Sequence, residues 1–217
     1  MYSVNARQRG SYHHGDLRNA LAQAATALAA RGGPEAVTIR GAAREVGVTP
    51  TAAYRHFENR TDLLCAARDL AMDGMLATIA GYLEGLPKPK DPIQRSLHRL
   101  SSAGRGYIRF AVDEPGIFRT CFTGRLDDPE ADASAPITAA PYLLLGEILD
   151  ELVDLGYLAP DDRPGAEAGP WAAVHGLAGL MVDGPLKSLG EDEREAAIDR
   201  TLSVVIRGLG TGPKTQR

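Results

Sequence analysis

The chain has 217 residues, enough for one large domain or for a small module joined to a larger one. Hydrophobic residues make up 44% of it and charged residues 24%, which excludes a disordered or fibrous chain. The formal net charge of −4 is unevenly spread, because residues 1–60 carry eight Arg against four acidic residues and residues 61–217 carry the whole acidic excess. A basic N-terminal module on an acidic body is expected when one end of a protein meets a polyanion.

The N-terminal stretch lacks the apolar segment of a secretory signal, and no apolar run approaches the ~18 residues of a membrane span. We therefore expect a cytoplasmic protein that does not enter a membrane. Cys65 and Cys121 form no metal-ligand pattern. They are expected to be reduced thiols, since a disulfide would need an oxidising compartment.

The N-terminal third of the sequence predicts short helices with clear boundaries. Asp16 is placed to cap a first helix, which Gly32-Gly33-Pro34 ends. Thr38 is expected to cap a second helix that ends at Gly47, in the left-handed conformation glycine favours. Thr49 is expected to cap a third helix with Pro50 in its first turn, where a missing N–H costs nothing.

A longer fourth helix is predicted from Asn59 or Thr61 to about Leu86, before a proline-rich break. The remainder also shows helical periodicity and no strand-like alternation, so we predict an all-α fold. Five further helices are expected at roughly 92–113, 115–124, 137–156, 168–187 and 191–209. An exposed acidic loop is expected at 126–136, and a frayed tail at 210–217.

The second and third helices, joined at Gly47-Val48, have the form of a helix-turn-helix. Helical spacing places Ala53 and Phe57 on an inward face, whereas Thr51, Tyr54 and their neighbours project outward. Such an outer face suits phosphates and base edges, although polar outer faces of short helices are commonly just solvated. The spacing alone leaves both interpretations open.

This stretch resembles the DNA-binding domain of TetR-family transcriptional regulators. The resemblance is strong over residues 12–70, and residues 12–18 (YHHGDLR) are similar to one subset of the family. The matching positions are Thr38, Gly47, Val48, Tyr54, His56, Phe57, Arg60, Leu63 and Leu64. The resemblance implies a helix-turn-helix domain at residues 1–60, followed by a helical ligand-binding and dimerisation domain at residues 61–217 that the fourth helix connects.

The resemblance also implies roles for individual residues on this surface. Arg40, Pro50, Thr51 and Tyr54 match the positions that read bases. Thr38, Thr49, Arg55, His56 and Arg60 match the positions that hold phosphates. Arg60 stands where Lys is commoner, which keeps the charge and permits a two-point grip on phosphate.

The family further implies a repressor that binds double-stranded DNA at a palindromic operator and is released by a small molecule. A homodimer is expected, because two-fold pairing places two recognition helices about 34–36 Å apart in successive major grooves. The last two helices are its expected interface, in which they form a four-helix bundle across a two-fold axis; the apolar residues of the last helix are Ile198, Leu202, Val205, Ile206 and Leu209. The fourth helix is the only element that the sequence places between ligand and DNA. No cofactor or metal is expected.

The segment 171–176 (WAAVHG) resembles a motif of one TetR-like C-terminal domain class. Trp171 and His175 are four residues apart and share a helix face, either lining a ligand pocket or packing in the core. Further candidate pocket residues, for which plain core is the alternative, are Phe110, Phe118, Cys121 and Phe122. Gly104 and Gly106, inside a predicted helix, indicate close packing or ligand approach.

Two other functions compete with a regulator. A helix-turn-helix protein that organises the chromosome would share the DNA-binding surface but not the preference for a few palindromes. An enzyme would need His175 with Asp183, or Cys121 with a histidine, yet the sequence contains no HExxH, GxSxG or glycine-rich phosphate loop. We therefore expect no catalytic residues. The acidic stripe Glu147, Asp150, Glu151 and Asp154 is expected to be a solvated face rather than a cation site.

Overall fold

A computed structural model describes residues 14–87, 89–122 and 139–210, and within those ranges it is all-α, as predicted. Two single-turn 3₁₀ segments lie at Pro34–Ala36 and Pro160–Asp162. The α-helices of the described residues are α1 (His14–Gly32), α2 (Ile39–Val46), α3 (Pro50–Tyr54), α4 (Arg60–Glu84), α5 (Pro92–Asp113), α6 (Pro115–Cys121), α7 (Ala140–Asp154), α8 (Ala168–Val182) and α9 (Glu191–Gly210).

The N-terminal helices begin and end at the residues that the sequence singled out. The Thr38 hydroxyl accepts a hydrogen bond from the Gly41 amide at 3.0 Å, and the Thr49 hydroxyl accepts one from the Ala52 amide at 3.2 Å. Gly47 ends α2 with φ at 77°. Asn59, and not Thr61, caps α4, because its side chain accepts from the Asp62 amide at 2.9 Å.

Several predicted boundaries were wrong. Helix α1 begins at His14, so Asp16 lies inside the helix rather than before it. Helix α6 ends at Cys121 rather than 124, and α4 ends at Glu84 rather than 86. Helix α8 ends at Val182 rather than 187, because Gly184-Pro185 follows and the residue before a proline avoids helical geometry. The loop expected at 126–136 lies outside the described residues, as does the expected tail beyond Gly210.

Two hydrophobic cores meet inside α4. The N-terminal core joins α1, α2 and α3 to the start of α4 and extends as far as Ala67. The core of the C-terminal part begins at Ala71 and joins α4 to α5, α6, α8 and α9. Helix α4 therefore contributes side chains to both cores.

Helix α5 crosses the C-terminal part at close range, and two glycines allow it. A Cβ atom at Gly104 would lie 2.6 Å from Leu202 and 3.2 Å from Val174. A Cβ atom at Gly106 would lie 2.9 Å from the Ile79 backbone. Packing against α4, α8 and α9 therefore explains both glycines, and Gly104 also lines a cavity described below.

Helix α6 packs directly on α1, which corrects the expectation that the fourth helix alone connects the two parts of the chain. A Cβ atom at Gly116 would collide with the backbone oxygen of Ala29 and lie 2.9 Å from that of Ala30. The contact is backbone to backbone, so only glycine fits. The sequence did not reveal it, because nothing local marks Gly116 as the partner of a helix some ninety residues earlier.

Helix α9 packs with its apolar stripe on its own chain, and two of the residues expected in the dimer bundle are buried there. Ile198 and Leu202 are fully buried in the C-terminal core, Val205 and Ile206 line the cavity, and Leu209 packs against a smaller cluster. Ion pairs secure the same contact, joining Arg105 to Glu195 and Asp199, and Arg109 to Glu191 and Glu195. These apolar side chains are used within the protomer.

Candidate nucleic-acid interface and C-terminal cavity

The outer face of α3 is exposed in the arrangement that the sequence predicted. Ala53 and Phe57 are buried, whereas Thr51 and Arg55 are exposed and Tyr54 keeps half of its surface accessible. Pro50 is also exposed, at the first turn. The Thr49 hydroxyl oxygen caps α3 by accepting a hydrogen bond from the Ala52 amide. The exposed side of α3 takes no part in core packing.

Arginines on this face differ in whether they have a partner. Arg40, Arg44 and Arg55 are exposed and form no ion pair with the residues that the structure describes. Arg31, by contrast, pairs with Glu45 at 2.7 Å. An unpaired guanidinium at a protein surface is available to a phosphate or to the edge of a guanine. Sequence reasoning missed Arg44, although its position in the last turn of α2 was visible.

Arg60 is held by the protein itself. Its Nε donates to the Val37 carbonyl oxygen at 2.9 Å and its Nη2 to the Pro34 oxygen at 2.6 Å, with Glu35 3.5 Å away. These bonds tie the start of α4 to the turn before α2. Arg60 thus holds the start of α4 against the segment that precedes α2, and its side chain remains partly exposed.

The end of α3 is fastened to α1 through Arg18. Its guanidinium lies over the Phe57 ring, 4.3 Å from the centroid, and donates to the His56 backbone oxygen. A longer contact of 3.4 Å reaches Asp62. His56 is half-buried at this point, so its backbone helps to orient the helix while its ring remains partly accessible.

Four of the nine predicted contact residues, namely Thr38, Arg40, Tyr54 and Arg60, line one groove. The start of α2, the end of α3 and the start of α4 form its walls, so residues some twenty positions apart become neighbours. Its lining consists of Thr38, Ile39, Arg40, Tyr54, Glu58, Asn59 and Arg60. Pro50 and Thr51 lie outside the groove, on the exposed leading end of α3.

In the C-terminal part, an aromatic cluster surrounds His175. The His175 ring lies 4.7 Å from Phe122, 5.6 Å from Phe118 and 6.2 Å from Trp171, measured between centroids. Phe110 and Cys121 are buried in the core around it. Burial raises the pKa of the Cys121 thiol to about 12. The structure therefore gathers the six residues predicted from sequence into one region.

Tyr107 is the central polar residue of this region, and the sequence did not single it out. Its hydroxyl lies 2.8 Å from Nδ1 of His175. Burial raises the pKa of Tyr107 far above its usual value, and a hydrogen bond from Trp171 opposes that rise. Burial also lowers the pKa of His175, which favours a neutral ring whose Nδ1 can accept a hydrogen bond from the Tyr107 hydroxyl.

A cavity that is partly open to solvent lies on the other side of Trp171 and Tyr107. We call it the C-terminal cavity. Of the six residues predicted to line a pocket, only Trp171 borders it, and the other five lie in the adjacent core. Its remaining walls come from α4, α5, α7, α8 and α9, and include Tyr142, whose ring packs 5.4 Å from Trp171.

The pairs considered for catalysis have other partners. Asp183 binds Arg119 with both carboxylate oxygens, at 2.9 and 3.2 Å from Nε, whereas His175 binds Tyr107. The raised pKa of Cys121 keeps it a thiol, which is a poor nucleophile. In the described parts of the chain, no cluster of His, Cys, Asp and Glu suits a metal ion, and no helix is long and apolar enough to cross a membrane.

A helix-turn-helix with exposed cations, mounted on a larger helical domain with its own cavity, defines a DNA-binding transcriptional regulator. Two family models match the chain: the bacterial regulatory proteins of the TetR family over residues 21–67, and the tetracyclin repressor-like C-terminal domain over residues 100–205. The chain belongs to the TetR family of transcriptional regulators.

Solved structures show the same fold along nearly the whole chain. A protein of unknown function from Rhodococcus sp. RHA1 is 25% identical, with a TM-score of 0.72 over 94% of this chain and 100% of that one. A putative TetR-family regulator from Rhodococcus sp. is 20% identical, with a TM-score of 0.57 over 90% and 99%. The TetR-family regulator PfmR from Thermus thermophilus is also 20% identical, with a TM-score of 0.54 over 87% and 98%. No curated protein matches the sequence.

Proposed function

We propose that this protein is a cytoplasmic repressor that binds a palindromic operator as a homodimer and leaves it when a small molecule occupies the C-terminal cavity. Residues 1–60 form the DNA-binding domain, residues 61–217 form the ligand-binding and dimerisation domain, and α4 belongs to both cores. The observation that carries the proposal is the surface around α3. Three exposed arginines there form no ion pair with the described residues, beside an accessible Tyr54.

The roles proposed for residues on this surface follow the family resemblance. Arg40, Pro50, Thr51 and Tyr54 are exposed, and we propose that they contact base edges. The flanking residues are placed for phosphates, namely Thr38, Thr49, Arg55, His56 and Arg60. Arg44 joins the second group, because it is exposed and forms no ion pair within the described chain.

Dimerisation through α8 and α9 is supported by what these helices leave exposed. Leu180 and Val204 keep 44% and 60% of their surface accessible, and small residues such as Ala172 and Gly176 make the outer face of α8 smooth. Small residues permit close approach of a second helix pair, as in a four-helix bundle. We propose this outer face, rather than the buried stripe of α9, as the interface.

Release by a ligand is supported by two connections from the cavity to the N-terminal part. One runs along α4, whose Ile79 borders the cavity and whose Leu63 lies in the N-terminal core. The other runs through α6, which α8 holds by the Arg119–Asp183 pair and which packs on α1 at Gly116. A ligand that shifts α8 or α4 would change the separation of the two recognition helices in a dimer.

Binding-site selection from a random DNA library, followed by titration on the selected and scrambled duplexes, tests the proposal. We expect a palindrome, bound far more tightly than scrambled DNA, with the preference weakened by Arg40→Ala. Arg95→Ala is the matched control, because Arg95 is an exposed arginine of α5 without an ion pair among the described residues. Equal binding to all duplexes would favour a chromosome-organising protein instead.

A further inference from the structure

The wall of the C-terminal cavity carries no formal charge. No Asp, Glu, Lys, Arg or His is found among the described residues that line it. Four lining residues carry a polar side-chain atom, namely Ser101, Tyr107, Tyr142 and Trp171. The other lining residues are Gly, Ala, Pro, Val, Leu and Ile, so a bound molecule meets an almost wholly apolar surface.

Two of those four polar groups already have partners within the protein. The Tyr107 hydroxyl lies 2.8 Å from Nδ1 of His175, and the Trp171 side chain is hydrogen-bonded to Tyr107. The hydroxyls of Ser101 and Tyr142 complete the polar lining. Both are neutral, and a hydroxyl acts as a donor or an acceptor equally well.

The three arginines of α5 that lie close in sequence to the wall are paired away from it. Helix α5 provides several lining residues, and it also carries Arg99, Arg105 and Arg109, which lie within two residues of Leu100 or Tyr107. Arg99 pairs with Glu151 of α7, whereas Arg105 and Arg109 pair with the acidic residues of α9. None of the three borders the cavity, so an ionised ligand would find no opposite charge there.

We propose that the C-terminal cavity takes an uncharged, mainly apolar small molecule, whose single polar group meets Ser101 or Tyr142. This inference rests on the proposed function, in which the cavity holds the effector. The physical reason is that burying an ionised group without a partner costs far more than burying a neutral one.

Three probes of equal chain length test the ligand class: 1-decanol, decanoate and decylammonium. Trp171 is the sole tryptophan of the chain and borders the cavity, so its fluorescence reports occupancy directly. We expect decanol to bind at least about tenfold more tightly than either ion, from the cost of burying an unpaired charge. Equal or tighter binding of an ion overturns the inference, and so does the absence of binding by decanol up to its solubility.

A pair of substitutions on α7 locates the binding. Leu145 borders the cavity, whereas Leu143, two positions away, does not border it and keeps 51% of its surface exposed. Leu145→Phe is expected to weaken decanol binding about tenfold or more by filling the space, and Leu143→Phe to leave it unchanged. Thermal unfolding checks that both variants fold. Equal effects of the two substitutions would place decanol elsewhere and overturn the assignment.

DNA affinity is measured separately with decanol bound. Unchanged operator affinity at saturation would contradict release by a ligand while leaving the ligand class intact. Equal fluorescence titrations by the three probes would contradict the ligand class while leaving release untouched. The two failures are therefore distinguishable.

Discussion

The hydroxyl group of Tyr107 on α5 lies 2.8 Å from Nδ1 of His175 on α8. This bond stands between the C-terminal cavity, which Tyr107 borders, and the aromatic cluster that His175 shares with Phe118 and Phe122 of the α6 segment. It therefore connects the site proposed for the ligand to the helix that packs on α1.

Removal of this hydroxyl in Tyr107→Phe should lower the free energy of unfolding by about 1 kcal/mol, the usual net value of one hydrogen bond. Tyr82→Phe is the control, because Tyr82 is a partly exposed tyrosine of α4 that does not border the cavity. Urea unfolding, followed by circular dichroism, measures both. Equal losses in the two variants would mean that the bond to His175 contributes nothing specific.

The pKa of His175, lowered by burial, predicts a pH dependence of stability. In the unfolded chain the histidine takes up a proton near its ordinary pKa of about 6.5, whereas the folded protein resists protonation to a lower pH. The stabilisation is therefore complete above about pH 6.5 and is lost as the pH falls through the lowered value. Urea unfolding at pH 7.5 and 5.0 should show a smaller difference for His175→Phe than for the wild type.

Gly116→Ala should separate α6 from α1, because the added methyl group collides with the backbone oxygen of Ala29. We expect a loss of about 1–3 kcal/mol in unfolding free energy, as for other overpacked sites, together with altered operator affinity. Gly81→Ala is the matched control in α4, since its Cβ atom would meet nothing within 4 Å. That variant should be neutral or stabilised by up to about 1 kcal/mol. If both glycine variants keep wild-type stability, the α1–α6 contact is not tight.

Arg60→Ala and Arg40→Ala should differ in their effect on folding. Arg60 donates to two backbone carbonyl groups, so its removal should cost about 1.5–3 kcal/mol of stability, and Arg40→Ala almost none. Chemical denaturation checks this difference.

The same two variants should also differ on DNA. Arg40→Ala should cost about 1–3 kcal/mol per half-site on the operator and much less on scrambled DNA. Arg60→Ala should weaken both duplexes alike, and flatten the slope of log K against log [salt] by about 0.9 per lost phosphate contact. Titrations at several salt concentrations measure both quantities. Equal losses on both duplexes would move Arg40 to the phosphate-binding group.

Val204→Asp should convert the proposed dimer into monomers. Val204 keeps 60% of its surface exposed on the outer face of α9, and a carboxylate buried at a two-fold interface would meet its own copy. Leu143→Asp is the control, because it places the same charge at an exposed apolar position of α7. Sedimentation at micromolar concentration should give a monomer only for the first variant. A dimer in both cases would place the interface elsewhere.

Much of the fold was predictable because its signals are local. Each of these signals acts within a few residues: Thr38, Thr49 and Asn59 cap helices, and the left-handed Gly47 ends one. The inward face of Ala53 and Phe57 follows from helical spacing alone, and so did the exposed surface of α3. Those features, with the family resemblance, were enough to predict a DNA-binding regulator.

The tertiary structure alone decided which surfaces those faces meet. Helical periodicity places Ile198 and Leu202 on one stripe of α9, but not whether a partner or the same chain covers it. Likewise, the sequence suggested that Phe118, Phe122 and His175 line a pocket. In the structure the cavity lies on the other side of Tyr107 and Trp171, and these three residues do not border it. The contact of Gly116 with Ala29 is of the same kind. A pattern along one helix fixes the direction of its side chains, while the packing of distant helices fixes what they touch.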